Sequence, residues 1–220
     1  MTRRWVAMWM AAILAGCGRE EQRAQPAQQV AQTPAPADER PVMVAFGDSL
    51  TAGHGAGPGL SYADFLQKEL DRKGYRYRVV NQGISGDTTS GGVTRMDAAV
   101  SLRPAVVILE LGANDGLRGL PVVTTRANLA EMIEAFQRAG AKVLLCGMTL
   151  PPNYGPDYIR SFERVFGDLS REKRTALVPF FLEGVATQRE LMQSDGLHPT
   201  AAGNARVAAT VMKYLEPLLK

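Results

Sequence analysis

Ser49, Asp195 and His198 are the residues whose types and spacing could carry out acyl transfer. Ser49 follows a short apolar segment and Gly47, which allows a tight turn that exposes the hydroxyl. Asp195 precedes His198, one of only two histidines, by three residues. That spacing lets the carboxylate hold one imidazole nitrogen while the other nitrogen faces Ser49. The three residues therefore predict a serine nucleophile, a histidine base and an aspartate that orients the base.

Gly86 and Asn114 could donate the hydrogen bonds that the oxyanion of such a reaction needs. Gly86 lies in a glycine-rich turn that opens a predicted helix, and Asn114 follows an apolar run that ends in glycine. Loss of one such donor commonly raises the barrier by about 3 kcal/mol. Each of these residues alone is more often an ordinary turn residue. Together with the serine, aspartate and histidine, in this chain order, they favour catalysis.

Apolar segments alternate with amphipathic segments along the chain, which predicts βαβ units on a parallel sheet. The predicted strands are 42–46, 77–81, 105–111, 142–148 and a short one near 177–178. The predicted helices are 62–73, 92–102, 127–139, 157–174 and 200–219. Glycine-marked polar loops follow the first three strands, and a fourth lies at 194–199. We expect all four loops at the carboxyl edge of the sheet, where α/β proteins bind ligands.

Four sequence blocks give the chain a strong resemblance to the SGNH, or GDSL, hydrolase family. The blocks are 46–53, Gly86, 112–115 and 195–199, in that order. Finer similarity points to the subgroup of bacterial acyl-CoA thioesterase I, lysophospholipase L1 and arylesterase, and it lies in 79–81, 84–88, 110–119 and 150–155. The resemblance covers essentially residues 41–219.

This resemblance implies a three-layer α/β/α flavodoxin-like fold with a central parallel sheet of about five strands, and neither metal nor cofactor. It implies a catalytic triad of Ser49, Asp195 and His198. It also implies an oxyanion hole made by the N–H groups of Ser49 and Gly86 and by the Asn114 side chain. The chain lacks the G-x-S-x-G motif of α/β-hydrolases, which disfavours that fold. We therefore expect a serine esterase or thioesterase that hydrolyses aryl esters, lysophospholipids and acyl thioesters through an acyl-serine intermediate.

Residues beyond the oxyanion asparagine could line an acyl groove. These substrate-binding candidates are Leu117, Leu120, Pro152 and Tyr154. The alternative for the two leucines is that they pack beneath the rim of the site. The loop 53–59 is unusually glycine-rich for the subgroup and leaves the shape of the substrate mouth open. We interpret His54 in this loop as an ordinary loop residue, because the site already has its histidine.

Two other functions fit the same residues. A cell-envelope carbohydrate O-deacetylase could use the same triad, and a small capped pocket would favour it, whereas an open apolar groove would favour acyl lipids. A non-catalytic envelope lipoprotein that binds lipid or glycan could retain a relic site. The presence of all three triad residues argues against the relic.

The N-terminal segment predicts export. Residues 1–17 have the pattern of a lipoprotein-type signal peptide that ends in the lipobox Cys17. The apolar stretch at 5–15 is shorter than the roughly 20 residues of a transmembrane helix. Residues 18–40 are rich in Gln, Ala and Pro and predict a disordered tether. We expect a bacterial cell-envelope protein that Cys17 anchors to a membrane facing the periplasm, or alternatively a cleaved, soluble periplasmic form.

Composition disfavours several other classes of protein. The formal charge of +3 falls to +1 without Arg3 and Arg4, so nucleic acid is not an expected partner. Carboxylates such as Asp48 and Asp115 lack the ligand spacing of a zinc site, and no glycine-rich segment ends as a P-loop does. The second cysteine, Cys146, lies in a predicted strand and is interpreted as a small apolar residue. The expected partner is a small acyl ester or lysolipid.

Overall fold

The computed structural model describes residues 38–219, which fold around a five-stranded sheet. Its strands are β1 (Val42–Gly47), β2 (Arg78–Gly83), β3 (Val106–Glu110), β4 (Lys142–Cys146) and β5 (Ala176–Val178). All neighbouring strands are parallel, and their order is β2-β1-β3-β4-β5. The central strand β3 is buried along its whole length, as a strand covered on both faces must be.

Helices cover both faces of the sheet. They are α1 (Ser49–Ala52), α2 (Tyr62–Arg72), α3 (Thr89–Val100), α4 (Ala113–Leu117), α5 (Val122–Arg138), α6 (Pro156–Lys173) and α7 (Ala201–Leu215), with 3₁₀ turns at Pro152–Tyr154 and Glu216–Leu218. Helix α2 packs against α7, while α5 packs against both α3 and α6. The two groups of helices lie on opposite faces because the crossovers are right-handed and the chain reverses direction: it moves outward from β1 to β2 and then returns past β1 to β3. The predicted three-layer, flavodoxin-like α/β/α fold is confirmed.

The helices begin where the sequence provides caps. Helix α2 has a capping box in which the Ser61 hydroxyl accepts from the Asp64 N–H and the Asp64 carboxylate accepts from the Ser61 N–H. Thr88 caps α3 and Thr200 caps α7. These caps place the first turns of α3 and α7 beside the carboxyl edge of the sheet.

The predicted elements are all present, but several bounds differ. Helix α3 begins three residues before its predicted start because Thr88 caps it, and α5 begins directly after Pro121, at Val122 rather than at 127. Strands β3 and β4 end earlier than predicted, at Glu110 and Cys146. The loops expected after β1 and β3 instead form the short helices α1 and α4.

The predicted signal peptide, Cys17 and tether residues 18–37 lie outside the described residues. Near the start of the described residues, the Arg40 guanidinium donates to the Asp71 carboxylate on α2 at 3.3 Å. Between residues 38 and 219, none of the helices has the length and apolar character of a membrane span.

Candidate active site

Ser49 lies at the junction between β1 and α1, at the carboxyl edge of the sheet. Asp48 caps this helix, and its Oδ1 accepts from the Leu50 N–H at 3.0 Å. Gly47 is required by close packing, because a Cβ there would lie 2.0 Å from Thr51 Oγ1 and 2.5 Å from the Glu110 carbonyl oxygen. The glycine before Asp48 therefore lets β1 approach β3 closely while the chain turns into the helix.

Three side chains form a hydrogen-bonded series at this edge. His198 Nε2 lies 2.9 Å from Ser49 Oγ, and His198 Nδ1 lies 2.7 Å from Asp195 Oδ2. Because a carboxylate only accepts, Nδ1 carries the proton and Nε2 is free to accept from the serine hydroxyl. The structure thus brings together the three residues that sequence spacing singled out, in the arrangement that nucleophile activation needs.

Asp195 is fixed by more than the imidazole. Its Oδ1 accepts from the backbone N–H groups of Leu197 at 2.9 Å and His198 at 3.1 Å. These hydrogen bonds, led by the one from the His198 ring, lower the pKa of Asp195 to about 2. The side chain is nevertheless 41% exposed. Asp195 therefore remains a carboxylate over the whole neutral and mildly acidic range.

Gln193 shapes the loop that carries the aspartate and histidine. Its backbone N–H donates to the His198 carbonyl at 2.8 Å, and its side-chain Nε2 donates to the carbonyls of Pro199 and His54. It links this loop to the glycine-rich loop after α1. Nothing in the residue type or the spacing singled out Gln193 in the sequence.

Gly86 lies in a turn beside Ser49. The Asp87 N–H donates to the Ile84 carbonyl at 3.1 Å, and Gly86 has a φ of 81°, which together are typical of a type II turn. The Arg118 guanidinium donates to the Gly86 carbonyl at 2.8 Å and so holds the peptide in place. Within the described chain, neither the Gly86 N–H nor the Ser49 N–H donates to a protein acceptor. Both are available to a ligand oxygen.

Asn114, in α4, has its side-chain amide oriented from two sides. Its Nδ2 donates to Asp48 Oδ2 at 3.1 Å and to the Asp87 carbonyl at 2.9 Å. The amide thus lines the cavity in a fixed orientation. Both N–H groups of the amide already have acceptors, so a ligand oxygen at this position would have to share or replace one of them. Ser49, Gly86 and Asn114 all border the same cavity, as the proposed oxyanion role requires.

A buried pair of carboxyl groups lies under Ser49. Glu110 stands opposite Gly47 in the β1–β3 register, and its Oε2 accepts from Thr51 Oγ1 at 2.8 Å and from the Asp48 N–H at 3.4 Å. Burial and the Asp48 charge raise the pKa of Glu110 well above its usual range, so Glu110 keeps its proton. Burial also raises the pKa of Asp48 to about 6. A neutral acid therefore supports the residue that precedes the serine.

A cavity of about 470 Å³ opens beside Ser49 and His198. This volume fits a small-molecule ligand. Its apolar lining residues are Leu50, Ala113, Leu117, Met148, Leu150, Pro151, Pro152, Phe180, Leu182, Ala186, Met192 and Leu197. A hydrocarbon chain would be desolvated against this lining, and such burial is favourable by about 0.8 kcal/mol per methylene.

The structure divides the predicted substrate residues. Leu117 and Pro152 line the cavity, but Leu120 and Tyr154 do not. The Tyr154 hydroxyl donates to the Leu117 carbonyl at 2.7 Å and the ring stacks on Tyr158, so Tyr154 supports the cavity wall from behind. The Leu120 carbonyl is likewise held by a hydrogen bond from the Tyr158 hydroxyl. The prediction that these two residues contact substrate is therefore corrected: Tyr154 holds the backbone of Leu117, and Leu120 lies outside the lining.

The interpretation of His54 as an ordinary loop residue is also corrected, because His54 lines the cavity and its ring lies against that of His198. The ring centroids of His54 and His198 are 4.6 Å apart. Sequence reasoning missed most of the far wall as well: Met148, Leu150, Phe180, Leu182, Ala186 and Met192. The only available signal was that these residues follow β4 and β5, where other loops of the site also begin.

The chain is similar to known proteins over most of its length. The sequence profile of the GDSL-like Lipase/Acylhydrolase family matches residues 45–206. Esterase TesA of Pseudomonas aeruginosa is 48% identical over 178 residues, which cover 80% of this chain and 89% of that protein. The Escherichia coli K12 protein named thioesterase 1/protease 1/lysophospholipase L1 is 35% identical over 178 residues, covering 80% of this chain and 84% of its own.

A solved structure extends the similarity to the whole fold. The crystal structure of TesA superimposes with a TM-score of 0.78 at 47% sequence identity, covering 80% of this chain and 99% of that one. The sequence-based resemblance is therefore confirmed. The chain belongs to the GDSL-like lipase/acylhydrolase family.

Proposed function

We propose that this chain hydrolyses acyl esters and thioesters through an acyl-enzyme intermediate on Ser49. The chain is a carboxylic ester hydrolase of its family, and the proposal assigns its residues. The observation that carries the assignment is the series Asp195–His198–Ser49, with contacts of 2.7 and 2.9 Å, beside an apolar cavity. The three side chains have the roles of orienting carboxylate, general base and nucleophile.

The first stage acylates the serine. His198 Nε2 takes the proton of Ser49 Oγ as that oxygen attacks the carbonyl carbon of the substrate. The negative charge on the tetrahedral intermediate is stabilised by the N–H groups of Ser49 and Gly86 and by the amide of Asn114. Asp195 stabilises the imidazolium that forms. His198 then donates its proton to the leaving alcohol or thiol as the carbon–oxygen or carbon–sulfur bond breaks.

The second stage releases the acid. A water molecule gives its proton to His198 Nε2 and attacks the acyl carbonyl on Ser49. The same three donors stabilise the second oxyanion. When the bond to Ser49 Oγ breaks, His198 returns the proton to the serine. The free carboxylic acid leaves and the site is restored.

The cavity supports an acyl lipid as substrate rather than an acetylated carbohydrate. A sugar ring needs hydrogen-bonding partners, whereas the cavity wall beyond Ser49 is formed chiefly by leucine, methionine, proline and phenylalanine. The names of two relatives, an esterase and a thioesterase that is also a lysophospholipase, are consistent with oxygen and sulfur esters of acyl chains. We include aryl esters and lysolipids in the proposed range.

Hydrolysis of p-nitrophenyl esters from acetyl to palmitoyl tests this proposal. We expect the highest kcat/KM with medium or long chains and loss of turnover in Ser49→Ala and His198→Ala, with the fold intact. Ser101→Ala, at the C-terminal end of α3, is the matched control and should behave as the wild type. Activity confined to acetate would instead indicate the deacetylase, and inactivity on every ester would favour a binding protein.

We also propose that the protein is exported and lipid-anchored at Cys17 in the cell envelope. The support is the sequence alone: a short charged start, an apolar stretch and a small-residue segment that ends in cysteine. Labelling of cells with a radioactive fatty acid tests this proposal. The label should appear on the wild type and disappear in Cys17→Ser, whereas an unlabelled wild type in a periplasmic extract would support the soluble form.

A further inference from the structure

Arg95 lies near the site and donates three side-chain hydrogen bonds, yet it has no role in the two catalytic stages. It lies in α3, and its side chain is only 18% exposed. Nη2 donates to the Gly47 carbonyl at 2.8 Å, Nη1 donates to the Gln82 carbonyl at 2.8 Å, and Nε donates to Asp87 Oδ2 at 2.7 Å. One side chain therefore joins the carboxyl ends of β1 and β2.

An aromatic ring lies against the Arg95 guanidinium. Its central carbon lies 3.9 Å from the centroid of the Phe46 ring, and Phe46 is fully buried. The arginine is thus held by a cation–π contact with the ring and by three hydrogen bonds. Such a group has little freedom to move, so the backbone segments that it binds are fixed relative to each other.

Those segments carry the oxyanion donors. Gly47 stands two residues before Ser49, and its carbonyl also accepts from the Ile84 N–H at 3.0 Å. Asp87 directly follows Gly86, and its carbonyl accepts from Asn114 Nδ2 at 2.9 Å. Ser49 and Gly86 are therefore close in sequence to groups that Arg95 binds, and Asn114 is hydrogen-bonded to the backbone of one of them, Asp87.

We propose that Arg95 is a positioning residue that sets the relative positions of the Ser49, Gly86 and Asn114 donors by tying the end of β1 to the turn after β2. The inference rests on the proposed function and deepens it. A lysine at this position has one compact ammonium group, which could not donate to Asp87 and to the carbonyls of Gln82 and Gly47 at the same time. A small misplacement of catalytic groups by a change outside the reacting atoms can cost about 100-fold in rate.

Steady-state kinetics of Arg95→Lys tests the proposal. We expect kcat to fall by about 10- to 100-fold while KM changes little, because donors to the oxyanion act mainly in the transition state. Inhibition by a trifluoromethyl ketone carrying an accepted acyl chain should weaken by a similar factor, since its adduct places an oxyanion at the same donors. Arg126→Lys, in an exposed ion pair with Glu172, is the matched control and should match the wild type.

A purely structural arginine would give a different result. In that case Arg95→Lys would lower the melting temperature but leave kcat and the inhibition constant within about twofold of the wild type at temperatures where circular dichroism shows a folded protein. That result would overturn the proposal. If Arg95→Lys does not fold, Asp87→Asn tests the positioning role instead, because it keeps the shape of the side chain and removes only the charge that Arg95 binds. It should lower kcat in the same way, and an unchanged kcat would overturn the proposal.

The Ser49 variant and the Arg95 and Asp87 variants distinguish a failure of the proposed function from a failure of the positioning role. Should Ser49→Ala keep full turnover, the proposed function itself fails. Should turnover depend on Ser49 while the Arg95 and Asp87 variants retain full kcat, only the positioning role fails. A double variant adds a further check, since Arg95→Lys and Asp87→Asn act on one contact and their effects on kcat should be less than additive in free energy.

Discussion

Asn114 donates a hydrogen bond from its Nδ2 to Oδ2 of Asp48, 3.1 Å away, and Asp48 is the residue directly before Ser49. The contact joins the helix that carries the amide to the turn that carries the nucleophile. Asp48 is fully buried, so no water competes for this bond. The amide that we propose as an oxyanion donor and the proposed nucleophile therefore have fixed relative positions before any substrate binds.

Replacement of Asn114 tests its role as an oxyanion donor. Asn114→Ala should lower kcat by about 100- to 1,000-fold with a small change in KM, because the lost hydrogen bond is strongest in the transition state. Asn128→Ala, which removes an asparagine that contacts Thr89 and Ser90 outside the cavity, is the control. A folded Asn114→Ala protein with wild-type kcat would rule out this role.

Asp195→Asn tests the orienting carboxylate. The amide keeps the size of the side chain but can donate to Nδ1, which would place the imidazole proton on the nitrogen that faces Ser49. We expect kcat to fall by about 10,000-fold, as the wrong tautomer cannot accept the serine proton. Asp168→Asn, in an exposed ion pair with Arg171, should be unaffected. Equal activity of the two variants would contradict the assignment of Asp195.

The buried Asp48 carboxyl predicts a pH dependence of stability. Burial raises its pKa from about 3.9 in the unfolded chain to about 6 in the folded protein. The folded state then binds more protons between these values, so this group's contribution to stability is highest below about pH 4 and is lost as the pH rises through about 6. Asp48→Asn removes this dependence. Urea unfolding at a series of pH values should show the variant gaining stability relative to wild type from pH 4 to 7, and parallel curves would contradict the prediction.

Chain-length preference should respond to the volume of the cavity. Ala186 lines the wall, and Ala186→Leu would fill part of the space that we assign to the acyl chain. We expect the kcat/KM optimum to move to shorter p-nitrophenyl esters, while kcat for the acetyl ester stays near that of wild type. Ala209→Leu, on α7 away from this cavity, is the matched control. An unchanged optimum would show that the acyl chain lies elsewhere.

Local motifs explain why so much of the site could be predicted from the sequence. Ser49 depends on a strand end and a glycine, and the Asp195–His198 pair depends on one loop, so residue type and spacing carried the information. The fold followed from alternating apolar and amphipathic segments. The short helices α1 and α4 were missed because four or five residues are too few to show helical periodicity.

The remaining parts of the site depend on contacts between distant segments. The far wall of the cavity combines Met148 and Leu150 after β4 with Phe180 and Leu182 after β5, and only the parallel pairing of these strands brings them together. From the sequence, Arg95 is predicted only to be a charged residue on a helix. Its three hydrogen bonds exist because the fold brings the Arg95 side chain to the carboxyl ends of β1 and β2 and to Asp87, which no local pattern reveals.

Mass spectrometry of the protein after reaction with an alkyl fluorophosphonate tests whether Ser49 is the residue that forms the covalent acyl intermediate. We expect one adduct per chain, located on the peptide that contains Ser49, formed together with loss of esterase activity and absent in Ser49→Ala. An adduct on another residue, or ester turnover that survives in Ser49→Ala, would contradict it.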